Sequence, residues 1–332
     1  MSRRLRRIGI VALAAAGLTA IMPLAASADS LRAVIAKSDA PPDARPVANL
    51  DREITSYSVL DTESVLAIAY YLQGDSPGLE EPLFVDRYDR KARQWRSAAF
   101  SREQRAAGGS DCLGSAVGLE SSGDSFLLST HISPSAECTL VLSTDLAVRA
   151  ALYGWPEASL ADGSIVYQRS QIHFAPFHAA EIAVYSRKTG RSYTIYPSKP
   201  YQAERQAEIT KLTAFFDAHQ DWCNQHNHPC DPELFDNALD GPVAANPQTD
   251  SLAFVIDYGS DADDPGAPPV TAGHRKVVYV YRYASNEFGF QYRELPQSDV
   301  TARFGNVPLA QLLTPAKLQE LFQGGQPALG RK

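Results

Sequence analysis

A short apolar run opened by a small or acidic turn, then an alternating strand, a tight polar turn and a return strand: this pattern recurs four times along the chain. The clearest copy spans Trp155 to Pro197. Asp162-Gly163 opens Ser164-Ile165-Val166-Tyr167, Glu181 to Tyr185 alternates, Lys188-Thr189-Gly190 turns, and Ser192 to Tyr196 returns. A second copy uses Leu252 to Tyr258, Val277 to Tyr283 and Phe288 to Leu295. A third uses Val65 to Tyr71, Leu83 to Tyr88 and Trp95 to Phe100, and a fourth Ser125 to Thr130, Thr139 to Ser143 and Ala147 to Tyr153. Alternation between turn residues is the hairpin signal. Its recurrence restricts the chain to a mainly β, antiparallel architecture.

Repeats of roughly 40 residues with three or four strands each are the period of propeller blades. The expected fold is an irregular β-propeller-like array over residues 49–300, with a β-sandwich as the alternative. The segment from Trp155 through Asp162-Gly163-Ser164 to Tyr167, with the hairpin after it, resembles the TolB-type, WD40-like propeller repeat. In that family a tryptophan or proline precedes a Ser-Pro-Asp-Gly turn and an apolar strand. Here Leu160-Ala161 stands in place of the proline step, and Ser186-Arg187 in place of the usual acid. The resemblance covers one repeat and implies a propeller whose loops gather at one face.

The pattern breaks between Pro197 and Thr249. Ile209, Leu212, Phe216, His219 and Trp222 share a helical face. Asp231-Pro232 reads as the start of a second short helix through Leu239. A helical insertion is therefore expected at about 198–245. Thr314-Pro315 starts a further helix in a C-terminal tail, 301–332, whose last residues from Gly324 onward read as frayed.

The amino terminus carries an address. Arg3, Arg4, Arg6 and Arg7 precede an apolar run from Ile8 to Leu24 and then Ala26-Ser27-Ala28, the layout of a secretory signal peptide over residues 1–28. The run is short for a membrane span. Residues 29–48, with Pro41, Pro42 and Pro46, read as a flexible leader. The mature chain is expected in the periplasm or secreted, with no stable membrane insertion. Removing four arginines takes Lys+Arg from 31 to 27 against 38 acids, a net charge of −11. Phosphate neutralisation needs clustered cations, so nucleic acid is excluded as a partner. What remains is an unknown protein or small ligand of the cell envelope.

An even cysteine count in an exported chain reads as disulfides. Cys112, Cys138, Cys223 and Cys230 allow three pairings, and the neighbours in sequence, Cys112–Cys138 and Cys223–Cys230, are the expected ones. The alternative for Cys223-Asn224-Gln225-His226-Asn227-His228-Pro229-Cys230 is a zinc site. Its cramped spacing and an oxidising compartment argue against that, so no metal is expected. Asp261-Ala262-Asp263-Asp264-Pro265-Gly266 opens like a calcium loop, but Ala272 stands where the closing bidentate acid belongs.

No chemistry-bearing motif is complete. Gly114-Ser115-Ala116-Val117-Gly118 lacks the spacing of a nucleophile elbow. Phosphate-cradling glycine loops are missing, and no cofactor is expected. Candidate binding residues are His173, Phe174, Phe177 and His178 in the long loop of the clearest repeat, with His131 in the corresponding loop of another copy. Loops gathered on a rigid scaffold carry recognition. The expected function is a protein-interaction or ligand-binding module. The competing class is a lyase or hydrolase acting on a glycan or peptide at that loop face.

Overall fold

The computed structural model describes residues 35, 39, 54–72, 83–101, 103–107, 110–112, 115–133, 136–169, 181–196, 210, 214, 217–226, 237–258, 275–283, 290–323 and 328–330. They form antiparallel sheets laid down in chain order. The first contains β1 (Ile54–Asp61), β2 (Val65–Leu72), β3 (Leu83–Asp89) and β4 (Gln94–Phe100) as a four-stranded meander. A two-stranded ribbon follows, β5 (Ala106–Ala107) and β6 (Ser110–Asp111).

The second sheet runs β7 (Ser115–Ser122), β8 (Ser125–Ser133), β9 (Ala136–Ser143), β10 (Val148–Ser159), β11 (Ile165–Arg169), β12 (Ile182–Ser186) and β13 (Arg191–Tyr196). It is two meanders joined by one long strand. Val148–Tyr153 of β10 pair with β9, whereas Gly154–Ser159 pair with β11. The change of partner falls at Gly154, whose φ of +151° suits a residue without a Cβ.

The third sheet holds β14 (Asn237–Leu239) and β15 (Ala244–Asn246), which together pair along one edge of β16 (Ser251–Tyr258). It continues through β17 (Arg275–Tyr283), β18 (Phe290–Pro296) and β19 (Ala328–Gly330). Four meander units of three or four main strands result, and the sequence copies match them: β1–β4, β7 to the first half of β10, the second half of β10 to β13, and β14 to β18.

Alternate residues of the central strands feed two different cores, because side chains on a strand alternate between faces. In β2, Val65, Ala67, Ala69 and Tyr71 meet the second unit, while Leu66, Ile68 and Tyr70 face the other way. Phe126 and Leu128 of β8 join the first-unit core, and Leu127 joins the third. Val166, Ile182 and Val184 of the third unit pack on Leu252, Phe254 and Ile256 of the fourth. The units thus stack face to face in series, and their middle strands are apolar on both faces. A ladder of rings stiffens the last junction, with Phe254 stacked on Tyr279 at 5.4 Å and on Tyr281 at 5.5 Å. Such pairs add about 0.5–1.5 kcal/mol beyond area burial. The Tyr281 hydroxyl donates to the Ile195 carbonyl across it at 3.1 Å.

The two ends of the series differ from the junctions. The outer face of the fourth unit, Ala253, Val255, Val278 and Val280, is covered by α-helices after β18. These helices are Gln297–Phe304, Leu309–Leu312 and Pro315–Gln323, contributing Val300, Leu312, Leu318 and Leu321. Among the described residues no apolar core joins the first unit to the fourth.

Two expectations are corrected here. The second insertion helix was to run through Leu239, but Asn237–Leu239 is strand, with Leu239 opposite Ile256. The open edge of β16 offers backbone partners, and satisfying them outweighs the local helix signal. The sequence predicts a frayed tail from Gly324, but Ala328–Gly330 pair with Phe290–Tyr292, closing the same kind of edge. Within the insertion, Thr210, Ala214, Asp217 and Ala218 are helical, and a helix spans Gln220–His226.

Candidate functional site

The two ends of the sheets have different chemistry. At one end lie the turns joining strands one and two, and three and four, of each unit. Here ion pairs lock neighbours together. Asp124 in the β7–β8 turn takes Arg149 at 2.9 Å and also Arg187 of the β12–β13 turn. Those guanidiniums, Arg149 first, hold the Asp124 carboxyl below its ordinary range. Arg96 of β4 pairs with Asp145 in the β9–β10 turn. At the last junction, among the described residues, no ion pair stands in this role. Tyr193 and Tyr283 interact there, and Asp250 feels the charge of Asp162. Burial, reinforced by that like charge, raises the Asp250 carboxyl.

At the opposite end the second strand of each unit stops and the third begins: Leu72 and Leu83, Ser133 and Ala136, Arg169 and Ile182, Tyr258 and Arg275. This end carries the candidate site. His131 sits on β8 directly across from Glu137 on β9. Burial raises the Glu137 carboxyl, and the neighbouring His131 charge opposes the shift. Next to Glu137, Cys138 is bonded to Cys112, with Cα atoms 5.2 Å apart. The expected pairing of these two cysteines is therefore what the fold holds, and both are fully buried.

The disulfide leads to a buried cation. Cys112 donates its backbone N–H to the Arg105 carbonyl at 3.1 Å. The Arg105 side chain is 1% exposed. Its Nη1 donates to the Tyr71 hydroxyl at 3.0 Å and its Nε to the Ser101 carbonyl at 3.2 Å, with the guanidinium over the Tyr71 ring. A guanidinium is costly to bury, and such donors and ring faces offset part of that cost. At the neck of the 170–180 connection, Arg169 pairs with Glu181 at 3.2 Å, and Thr194 donates to the same carboxylate at 2.7 Å. The end of β11 and the residue before β12 are thus pinned together.

Glu157, on the second half of β10, is a further buried acid. It accepts from Trp155 Nε1 at 3.0 Å and from the Val243 backbone N–H at 3.4 Å, linking the third and fourth units. Burial raises its carboxyl despite both donors.

Of the residues singled out in the sequence, His131 is on this end with Glu137. His173, Phe174, Phe177 and His178 lie outside the described residues, as do Cys230, His228 and the Asp261–Gly266 segment. Cys223 is within the Gln220–His226 helix. Sequence reasoning missed Glu137 and Arg105. The first had a signal, since a hairpin register through Cys138 puts it opposite His131. The second had none, because Ser101-Arg102-Glu103-Gln104-Arg105 reads as an ordinary charged loop. Among the described residues no three His, Cys, Asp or Glu side chains gather closely enough to hold a metal. The arrangement sets a buried, fully engaged guanidinium and a carboxyl raised by burial beside an imidazole close to one disulfide.

No protein-family model matches the chain, and no curated protein matches it. Among solved structures it is similar to a Kuenenia stuttgartiensis hydrazine synthase, at 11% identity and a TM-score of 0.33. That alignment covers 74% of this chain and 54% of the other, so the chain spans about half the length of that protein. A likeness this slight carries no conclusion about fold or activity.

Proposed function

We propose that this protein is an exported recognition module, a β-propeller-like array of TolB-type character that binds a protein or small ligand of the cell envelope at its loop end. The observation that carries this reading is the division of labour between the two ends. One end is consumed by ion pairs that join units, as in Asp124 with Arg149 and Arg187. At the other, where strands two end and strands three begin, His131 stands opposite Glu137 beside the Cys112–Cys138 bond. Binding residues concentrate in connections held by a rigid scaffold. A disulfide supports an oxidising compartment, and among the described residues no helix is long and apolar enough to cross a membrane.

The test is site-specific photocrosslinking in the producing cell. A photoreactive residue at Ala175, in the 170–180 connection, gives a discrete adduct, whereas one at Lys188, in the opposite turn, gives none. Equal adducts from both positions, or none from either, overturn the reading. Peptide mapping of the same material checks export: the mature chain begins at Asp29. A second reading, an enzyme acting on a glycan or peptide, draws on the raised Glu137 carboxyl beside His131. It requires turnover of such a substrate that Glu137→Gln abolishes.

A further inference from the structure

Among the described residues, no sheet covers the outer face of the first unit. Leu66, Ile68 and Tyr70 of β2 point to it, joined by Tyr88 and Trp95, with Tyr57, Val59 and Phe84 packed alongside. A face of this composition exposed to water would be an association hazard. Yet Leu66 is 0%, Tyr88 1% and Trp95 7% exposed. The side chain seated among them is Ile35, from the segment that the sequence reads as a flexible leader. It is 2% exposed and belongs to the same cluster.

A second anchor lies four residues on. Asp39 Oδ1 is 3.2 Å from Arg90 Nε at the β3–β4 turn, and the same guanidinium reaches Asp61 through Nη2 at 2.6 Å. One polar group of this sheet, Asp86, is partnered from within it. Asp86, 2% exposed, accepts from the Tyr70 hydroxyl at 2.9 Å and from Ser97. The seat thus takes an aliphatic side chain, brought by Ile35, and Arg90 takes a second carboxylate beside Asp61, brought by Asp39.

We propose that the outer face of the first sheet is a peptide-docking slot, and that its resident ligand is the chain's own segment around Ile35–Asp39. The specificity is an aliphatic residue in the aromatic seat with an acid four positions later on Arg90. This slot is separate from the loop-end site, so it stands whether or not the recognition reading above holds. Because Arg90 keeps Asp61 when Asp39 leaves, the carboxylate contact is the weaker anchor, and Ile35 burial is the one that decides occupancy.

The experiment uses the full chain labelled with 5-fluorotryptophan. Trp95 is one of three tryptophans, and its fluorine resonance, assigned by Trp95→Phe, reports on the seat. Ile35→Asp shifts that resonance and speeds amide exchange in β2 and β3 by at least tenfold, leaving β16 and β17 unchanged. A synthetic peptide of residues 29–48 then restores both signals saturably. The same peptide carrying Ile35→Asp does not, and one carrying Asp39→Ala does so several-fold more weakly. If Ile35→Asp prevents folding, Ile35→Ala is read in the same way, with a smaller shift. An Ile35→Asp chain that folds with Trp95 and β2–β3 exchange unaltered overturns the proposal. So does a parent chain that light scattering shows to be a dimer whose seats are filled by each other's segments.

Discussion

Gly154 and Gly118 show how differently two glycines constrain one sheet. A Cβ on Gly154 would lie 2.1 Å from the Gln168 carbonyl oxygen, at a φ that L side chains rarely adopt. On Gly118 it would meet only the Ser129 Cβ, at 3.8 Å, an ordinary contact. Gly154→Ala is expected to cost about 3 kcal/mol or more, since the clash is with backbone that must move. Gly118→Ala should fall within about 1 kcal/mol of the parent, and denaturant midpoints for the pair check the contrast. Asp250 gives a pH-dependent case. Its carboxyl is raised by burial and by Asp162, so the folded chain holds that proton more tightly than the unfolded chain does. Ionisation therefore costs stability. The cost is absent below the ordinary value of 3.8 and complete once pH has passed the raised folded value. Asp250 has a φ of +47°, which asparagine tolerates. Asp250→Asn should thus raise Tm at pH 7, with the gain vanishing as pH falls below about 4. A gain that grows in acid would sink the assignment.

At the scale of elements, the disulfide is the most local device for holding the loop end. Cys112 and Cys138 are 26 residues apart in sequence, and closing such a loop stabilises by about 3 kcal/mol in the chain-entropy picture. The double variant Cys112→Ser, Cys138→Ser should lose about that much in urea unfolding, and non-reduced peptide maps of the parent should show the 112–138 pair. This bond was legible in the sequence because an even cysteine count in an exported chain reads as disulfides and the two partners are neighbours among the cysteines. The hairpins themselves were legible because turn chemistry at Asp162-Gly163 and Lys188-Thr189-Gly190 sits beside runs of β-branched and aromatic residues. The elements that escaped are those whose reason is distant. Asn237–Leu239 becomes strand by pairing with Ile256–Tyr258. The return strand read as Ala147 to Tyr153 runs on to Ser159, and its second half serves the next unit. Gln297–Phe304 is helical against a face of β17 and β18 that its own sequence does not announce. The candidate site divides likewise. His131 was visible from its place in a repeat, whereas Glu137 and Arg105 gain their meaning only from register and burial.

For the whole molecule, the decisive feature is that four units pack in series with different covers at the two ends. Ile35 sits on the first face, and Val300, Leu312, Leu318 and Leu321 cover the last. In a linear stack each unit is stabilised by its own contacts and by its nearest neighbours, so a perturbation fades with distance. In a closed ring the first and fourth units would be neighbours. Leu318 is 3% exposed in the helical cover, and Leu318→Ala should cost about 2–5 kcal/mol. Amide exchange read strand by strand then separates the two cases. In the linear arrangement exchange accelerates most in β16 and β17, less in β11 and β12, and not measurably in β2 and β3. Acceleration of β2 and β3 to the same degree as β11 and β12 would mean that the first unit borders the fourth, and the series would have to be redrawn as a ring. The gradient matters for recognition as well. The loop end of the first and second units, with Arg105, His131 and Glu137, lies at the far side of the series from the helical cover. Its geometry should therefore survive Leu318→Ala, and the His131 imidazole resonances should keep their parent shifts in that variant.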